Sequence, residues 1–254
     1  MDDFLVKFAQ SREEVDSAKR LRFKVFNIEL QKGLEQSYAS GLDEDEYDAI
    51  CDHIIIIDRK KEEVVGTYRL LLGKKLKNGG SFYSENEFDL SKIKSNAGDF
   101  LELGRSCVHK DYRQGAVVIL LWRAILEYVK ANDVKYIIGC SSVYTTDLLE
   151  ISKIYRLLKI KHGAKDAFLV KPRQGREIFG LKIDIDIIGQ EKDILSRIPA
   201  LVRSYLKLGA VVCSDPILDY EFGTVDFFMM LKISEINAVF LKRLGLDNFF
   251  SYEA

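Results

Sequence analysis

Two short sets of residues in this chain are suited to chemistry. In "FLELGRSCVH", Glu102 and Arg105 sit three positions apart on a segment that reads as a strand, followed by the turn "KDYRQG". A carboxylate on a partly buried strand can take a proton from an amine, directly or through a water. Burial raises the proton affinity of such a carboxylate and a neighbouring guanidinium lowers it; the sequence leaves that balance open. The second set is Arg113, Gln114, Gly115 and Ala116, placed where an apolar helix must begin. A helix start offers unpaired N–H groups and a partial positive charge to an anion, glycine admits a close approach, and Arg113 adds a charged donor. The spacing fits a phosphate cradle, and it fits an ordinary pre-helical turn equally.

Arg22 and Arg69 join Arg105 as basic residues on elements expected to lie together. They can form structural ion pairs with Glu46, Asp48 or Asp52, or hold a carboxylate substrate bidentately. His109 follows the strand as a candidate base, although a lone histidine there more often serves structure. Phe82 and Tyr83 read as acyl-tunnel lining or as aromatic pins of a loop, and Lys110, Arg113 and Arg123 as a docking surface for an acidic partner or as solvated charge.

The elements that must position these groups follow from periodicity. Ser11 and Glu14 form a capping box ahead of a helix from about residue 12 to about residue 30, with Val15, Ala18, Arg22, Val25 and Phe26 near one face. A polar, acidic, glycine-punctuated loop comes next. "HIIIID" and "VVGTYRLLL" around "RKKEE" read as an antiparallel hairpin, and "FLELGRSCVH" as a third strand. Val117, Leu120, Leu121, Ala124, Ile125 and Tyr128 fall at helical spacing, with Trp122 widening the apolar face. "YIIGCSSV" is a fourth strand and "TTDLLEISKIYRLLKIKHG" a helix closed by Gly163. The last third reads as strand "LKIDIDIIG", a helix capped by Gly209, strand "VDFFMMLKI" and a helix begun by Ser234. This order is α/β (α+β), with a mixed, largely antiparallel central sheet flanked by helices.

The 254 residues suffice for a substantial core: one domain over 1–254, with about 165–254 as an extension packed on it. A formal net charge of -1 with abundant charge of both signs gives no global pull toward nucleic acid. Cys51, Cys107, Cys140 and Cys213 are widely spaced without metal-ligand companions, as expected of buried thiols in a reducing compartment. The acidic N-terminus lacks the pattern of a secretory signal, and Ala116 to Leu126 is too short to span a bilayer, so the expectation is a cytoplasmic protein. Peripheral contact with the inner membrane stays compatible with this composition.

Several segments carry a resemblance. The strand, "RQGA" turn and helix resemble the pantetheine-pyrophosphate loop of the GNAT acyltransferase superfamily, in an abbreviated form that lacks a second glycine. "CDHIIIID", "VVGTYRLL", "FYSENEFDLS", "LELGRSCVHKDYR", "LLWRAILEYV", "YIIGCSSV", "IPALVRSYLKLGA" and "EFGTVDF" resemble the ornithine N-acyltransferases and N-acyl amino acid synthases, from about residue 5 to about residue 232. More distantly, Arg22 with Phe26, Glu46 with Asp48, Arg69, and Glu102 with Arg105 are similar to the polar set of acyl-homoserine-lactone synthases. The tryptophan those enzymes carry after the first helix has no counterpart, since Trp122 is the only one, which argues against a lactone product.

The resemblance implies a GNAT-like three-layer sandwich and an amide-forming acyltransferase. It implies Glu102 as base, a backbone N–H near Val108 as oxyanion donor, and Val108, Arg113, Gln114, Gly115 and Ala116 as the acyl-donor cradle. Arg22, Phe26, Glu46, Asp48, Arg69 and Arg105 would form the acceptor pocket or the ionic network that closes it, and Ser142 or Tyr144 would protonate the leaving thiolate. The implied donor is a phosphopantetheine-linked acyl thioester on acyl carrier protein, long-chain and 3-hydroxylated. The implied acceptor is an amino acid, ornithine first and glycine second, with no metal or redox cofactor. Three alternatives remain: an autoinducer synthase using S-adenosylmethionine, an acetyl-CoA-dependent N-acetyltransferase, and a non-catalytic acyl-carrier or lipid-binding module.

Overall fold

The computed structural model describes residues 3–76, 79–94, 97–113, 115–220, 222–247 and 249. In chain order its elements are β1 (Phe4–Phe8), α1 (Arg12–Phe23), α2 (Ser37–Ser40), β2 (Asp52–Asp58), β3 (Glu63–Leu72), β4 (Phe88–Asp89), α3 (Ser91–Lys94), β5 (Phe100–Val108) and α4 (Ala116–Ala131). Then come β6 (Tyr136–Val143), α5 (Leu148–His162), β7 (Lys171–Pro172), α6 (Glu191–Arg197), α7 (Ala200–Leu208), β8 (Val211–Val212), β9 (Ile217–Asp219), β10 (Thr224–Lys232) and α8 (Ala238–Arg243). This is a mixed α/β fold whose sheet is largely antiparallel and flanked by helices, as the order of periodicities predicts. The chain divides into two compact units.

The first unit comprises residues 1–75, 101–134 and 241–254. Its strands run β1-β2-β3-β5, every pairing antiparallel. β1 was not expected: "FLVKF" is too short to declare a period, and its pairing with β2, Phe4 opposite Asp58 through Phe8 opposite Ile54, makes it a strand. In β2, Ile54, Ile55 and Ile56 are all buried, because a consecutive apolar run is covered on both faces. α1 starts at the Ser11 cap, whose hydroxyl accepts from the Glu14 N–H, and continues as a π-helical turn over Lys24–Glu29. The expected span of about 12 to about 30 therefore holds, with its last stretch widened. α4 buries Val117, Leu121, Ile125, Leu126 and Val129. It comes close to the sheet at Gly66, where a Cβ would lie 2.6 Å from Val117 Cγ1.

The second unit comprises 76–100 and 135–240. β10 is central: it pairs antiparallel with β6 from Val225 opposite Val143 to Lys232 opposite Tyr136, and also with β8 and β9. Phe227 and Phe228 are fully buried; Tyr155 of α5 packs on the first and Phe88 of β4 on the second. Gly209 ends α7 at φ +105°, the left-handed cap expected there. Two expectations fail in this unit. "LKIDIDIIG" forms no strand: Gly180 and Gly189 turn the chain at positive φ, and Asp186 Oδ1 accepts the Ile188 N–H at 2.9 Å, a local bond that competes with a ladder. The last helix begins not at Ser234 but after Asn237, whose Oδ1 accepts the Val239 N–H.

Candidate active site

β5 is bulged where its chemistry lies. Thr67 opposes Cys107 and Arg69 opposes Gly104, so Arg105 and Ser106 together face the single residue Tyr68. Arg105 takes the extra residue's conformation at φ +47°, a left-handed backbone that costs a non-glycine residue roughly 1 kcal/mol. Two contacts offset that cost: its guanidinium lies 4.3 Å from the Phe26 ring centroid, and it forks onto Asp43, with Nε to Oδ1 at 3.0 Å and Nη2 to Oδ2.

Glu102 is buried on the same strand, opposite Leu71. Gly104 leaves room for the Arg69 guanidinium, 3.8 Å from where a Cβ would stand, on the strand face that Glu102 shares by alternation. The Cys51 thiol responds to both groups: burial, opposed by Arg69 and reinforced by Glu102, leaves it pushed up to about 12.

The acidic loop after α1 closes over these arginines. Arg22 donates from Nε to Asp43 at 2.7 Å, and from Nη1 and Nη2 to the two oxygens of Asp48 at 2.6 and 3.1 Å. Arg69 Nη1 reaches Asp48 at 3.2 Å and also Asp45. Three guanidiniums thus meet three carboxylates in a charge-balanced network, with Arg22 1 % and Asp43 0 % exposed. Burial alone would raise the Asp48 carboxyl, but Arg22 and Arg69 outweigh it and hold it well below the usual carboxylate range. His53 Nε2 lies 3.2 Å from the Asp48 carbonyl, and burial lowers its proton affinity. Glu46, expected in this network, is exposed; Asp43 and Asp45 take that part. The signal was the acidic run "GLDEDEYD", in which only the fold decides which carboxylates turn inward.

On the donor side, the His109 N–H donates to Val65 O at 2.9 Å, so the N–H of Val108, one residue earlier, is directed to the opposite edge of β5. Gly115 precedes α4 at φ +149°, ψ -148°, a conformation only glycine adopts without strain, and Ala116 opens the helix. Arg113 is exposed and doubly paired with Glu29 at 2.6 and 2.7 Å, while its Nε donates to Val108 O at 3.0 Å. Gln114 lies outside the described residues. His109 accepts from the Asp111 N–H, a local turn contact. Phe82 is buried against Phe100 in the second unit, where Ser142 lies on β6 opposite Asp226; Tyr144 is largely exposed. Among the described residues no helix is long and apolar enough to cross a membrane.

Comparison with known proteins agrees with this architecture. The Acetyltransferase (GNAT) domain family matches residues 21–123, which takes in the end of α1, the acidic loop, the bulged strand and the start of α4. The L-ornithine N(alpha)-acyltransferase of Rhodobacter capsulatus is 31% identical over 236 residues, 89% of this chain and 88% of its own length. That of Brucella abortus is 31% identical over 256 residues, covering 95% of this chain and 89% of its own length. Among solved structures, the CoA-dependent acyl-homoserine lactone synthase BjaI aligns with a TM-score of 0.53 at 13% identity, covering 96% of this chain and 90% of the other. FeeM, an N-acyl amino acid synthase from uncultured soil microbes, aligns with a TM-score of 0.50 at 10% identity, covering 91% of each chain. The structural likenesses show a shared fold; the sequence relatives extend over nearly the whole chain. This chain is an acyltransferase enzyme and belongs to the L-ornithine Nα-acyltransferase family.

Proposed function

We propose that this enzyme transfers a long-chain 3-hydroxyacyl group from acyl carrier protein to the α-amine of ornithine, giving a lyso-aminolipid, with glycine as the second-choice acceptor. The observation that carries the reading is the relationship, over 89% of the chain, to an enzyme named for Nα-acylation of L-ornithine. The local chemistry is compatible with it. Glu102 takes the proton that the attacking ammonium must lose, the amine nitrogen bonds to the thioester carbon, and the carbonyl oxygen gains negative charge that the Val108 N–H receives. The tetrahedral intermediate collapses as the C–S bond breaks, and the departing pantetheine thiolate takes up the second proton, which the nitrogen releases as the amide forms. Gly115 and the start of α4 meet the single phosphate of the pantetheine arm, and Arg113 exchanges Glu29 for it. Exposed Lys110 and Arg113 suit an acidic carrier protein. The arginine–aspartate network holds Arg69 beside Glu102 and keeps the acceptor side rigid.

The test is mass spectrometry of the purified enzyme incubated with 3-hydroxypalmitoyl acyl carrier protein and all amino acids together. The expected product is N-acylornithine, absent with Glu102→Gln. Release of methylthioadenosine from S-adenosylmethionine, or acetylation from acetyl-CoA with the long-chain donor untouched, would overturn the reading.

A further inference from the structure

The second unit presents apolar side chains where turns ordinarily carry polar ones. From β7 onward, residues 171–190 form a ribbon in which Phe179–Gly180, Ile183–Asp184 and Ile188–Gly189 are turn tips. Gly180 and Gly189 make two of these turns at φ +81° and +75°. Phe179 and Ile188 are each 88 % exposed, and Ile183 is exposed as well. One exposed apolar residue needs no explanation. Three in succession on a short ribbon, beside exposed Leu148 and Leu149 at the start of α5, make a patch of the kind that meets a partner.

The ribbon is fixed to its unit along its length. The Arg173 N–H donates to Glu87 O at 2.8 Å and Glu177 pairs with Ile217 of β9. These anchors adjoin the buried carboxylates of Glu87, Asp219 and Asp226, one oxygen of each within 4.8 Å of the others. Further on, the ribbon runs along α5. A Cβ on Gly180 would lie 3.3 Å from Leu148 Cδ2, the Lys182 N–H donates to Ser152 Oγ at 3.0 Å, and Lys153 Nζ donates to Gln190 Oε1 at 2.8 Å. Ile187 turns inward and is buried, while Ile188 next to it faces solvent.

Charge decides what kind of partner fits. The ribbon and α5 together carry eight Lys and Arg residues against four Asp and Glu, in a chain whose formal net charge is -1. Lys171, Arg173, Arg176 and Lys182 are exposed and stand in no ion pair among the described residues. The ribbon's carboxylates have local partners instead: Glu177 accepts the Gly175 N–H at 2.8 Å, Asp184 lies 3.8 Å from Arg156, and Asp186 accepts the Ile188 N–H at 2.9 Å. Free cations around protruding apolar tips suit an anionic bilayer, where the tips enter at the headgroup boundary and the cations meet lipid phosphates. Tips on separate turns need no complementary hollow in lipid, whereas a protein partner would have to supply one for each.

We propose that the ribbon 171–190 docks this enzyme on anionic lipid bilayers, with Phe179 and Ile188 as apolar anchors and Lys171, Arg173, Arg176 and Lys182 as headgroup contacts. The inference concerns the second unit alone and does not rest on the acylation reading, which vesicle binding neither supports nor removes.

The test is co-sedimentation of the full chain with vesicles of about 30% phosphatidylglycerol in phosphatidylcholine, and with phosphatidylcholine alone, at roughly 0.1 M salt. Partition onto the anionic vesicles should exceed that onto neutral ones by at least about 10-fold and should fall as salt is raised to about 0.5 M. Phe179→Ser combined with Ile188→Ser should lower anionic partition by at least about 10-fold, the scale of withdrawing two apolar side chains from an apolar phase. Arg173→Gln and Lys182→Gln should each lower it by about 5-fold, the share of one basic residue at an anionic surface. All four positions are exposed, and circular dichroism with urea midpoints establishes that each variant is folded. Equal partition onto neutral and anionic vesicles, no partition onto either, or anionic binding unaltered in the folded tip variant overturns the proposal. A wild type that ignores vesicles but forms a dimer lost in the tip variant, read by sedimentation velocity, overturns it in favour of a second copy of the chain. A wild type that ignores vesicles but binds acyl carrier protein more tightly than the tip variant does overturns it in favour of an acidic protein.

Discussion

Replacing Glu87 by glutamine should change how stability depends on pH. In the folded protein burial, and then Asp226, raise this carboxyl from its ordinary 4.5 to about 8. Between those two values the folded state holds a proton that the unfolded chain has released, so stability falls as pH rises; the penalty is absent below about 4.5 and complete above about 8. At about 1.4 kcal/mol for each decade of proton concentration, less the partial titration at both ends, the interval from pH 5 to pH 8 carries roughly 3 kcal/mol. Asp226, pushed up to about 6 by burial, acts in the same direction. Asp48 does not contribute in this interval, because its carboxyl is held below the ordinary value and its stabilisation is lost only as pH falls through the acid range. His53 works in the opposite direction below its ordinary 6.5, where the unfolded chain binds a proton that the buried ring resists. The informative quantity is therefore the difference between Glu87→Gln and wild type, in which His53 cancels. Urea unfolding at half-unit pH steps should show that difference moving by roughly 3 kcal/mol in favour of the variant from pH 5 to pH 8. A difference constant to within about 0.5 kcal/mol would refute the buried, proton-holding carboxyl.

Three further outcomes test other parts of the structure. Glu102→Gln should lower kcat by about 10²- to 10⁴-fold, the range for loss of a general base, with circular dichroism unaltered. Arg22→Met leaves Asp43 and Asp48 buried with fewer charged donors and should destabilise by about 3 kcal/mol in urea unfolding, whereas Glu46→Gln should change stability by less than about 0.5 kcal/mol. Gly66→Ala pushes a methyl against Val117 Cγ1, 2.6 Å from the added Cβ, and should cost about 1–3 kcal/mol, read as a lowered urea midpoint.

What the sequence disclosed and what it hid divide along a physical line. α4 was legible because its apolar residues repeat at the helical period over sixteen positions, and β2, β3, β6 and β10 because β-branched and aromatic runs end in turn residues. β1 and the segment "LKIDIDIIG" went the other way. The first becomes a strand only because β2 offers an edge, and the second fails to become one because Asp186 and two glycines turn its backbone first. Strand identity for a short run belongs to the partner and not to the run.

The site divides in the same manner. Glu102, Arg105 and Gly115 lie in one contiguous stretch, and one local fact about each, its strand position or its positive φ, accounts for its placement. Arg22, Arg69, Asp43, Asp45 and Asp48 come from three separate elements, so the presence of a network could be expected while its carboxylates could not be chosen. Glu87, Asp219 and Asp226 are the extreme case: two are more than a hundred residues from the third, and each has an ordinary neighbourhood in sequence. Nothing in "SENEF", "ILDYEF" or "TVDFF" marks a carboxylate as buried, because burial there comes from the pairing of β9 and β10 and from the packing of Phe88 on Phe228. The bulged strand and the turn before α4 follow one another in the chain, so their residues can be picked out together. Buried charge gathered from distant segments becomes readable only once the chain is folded.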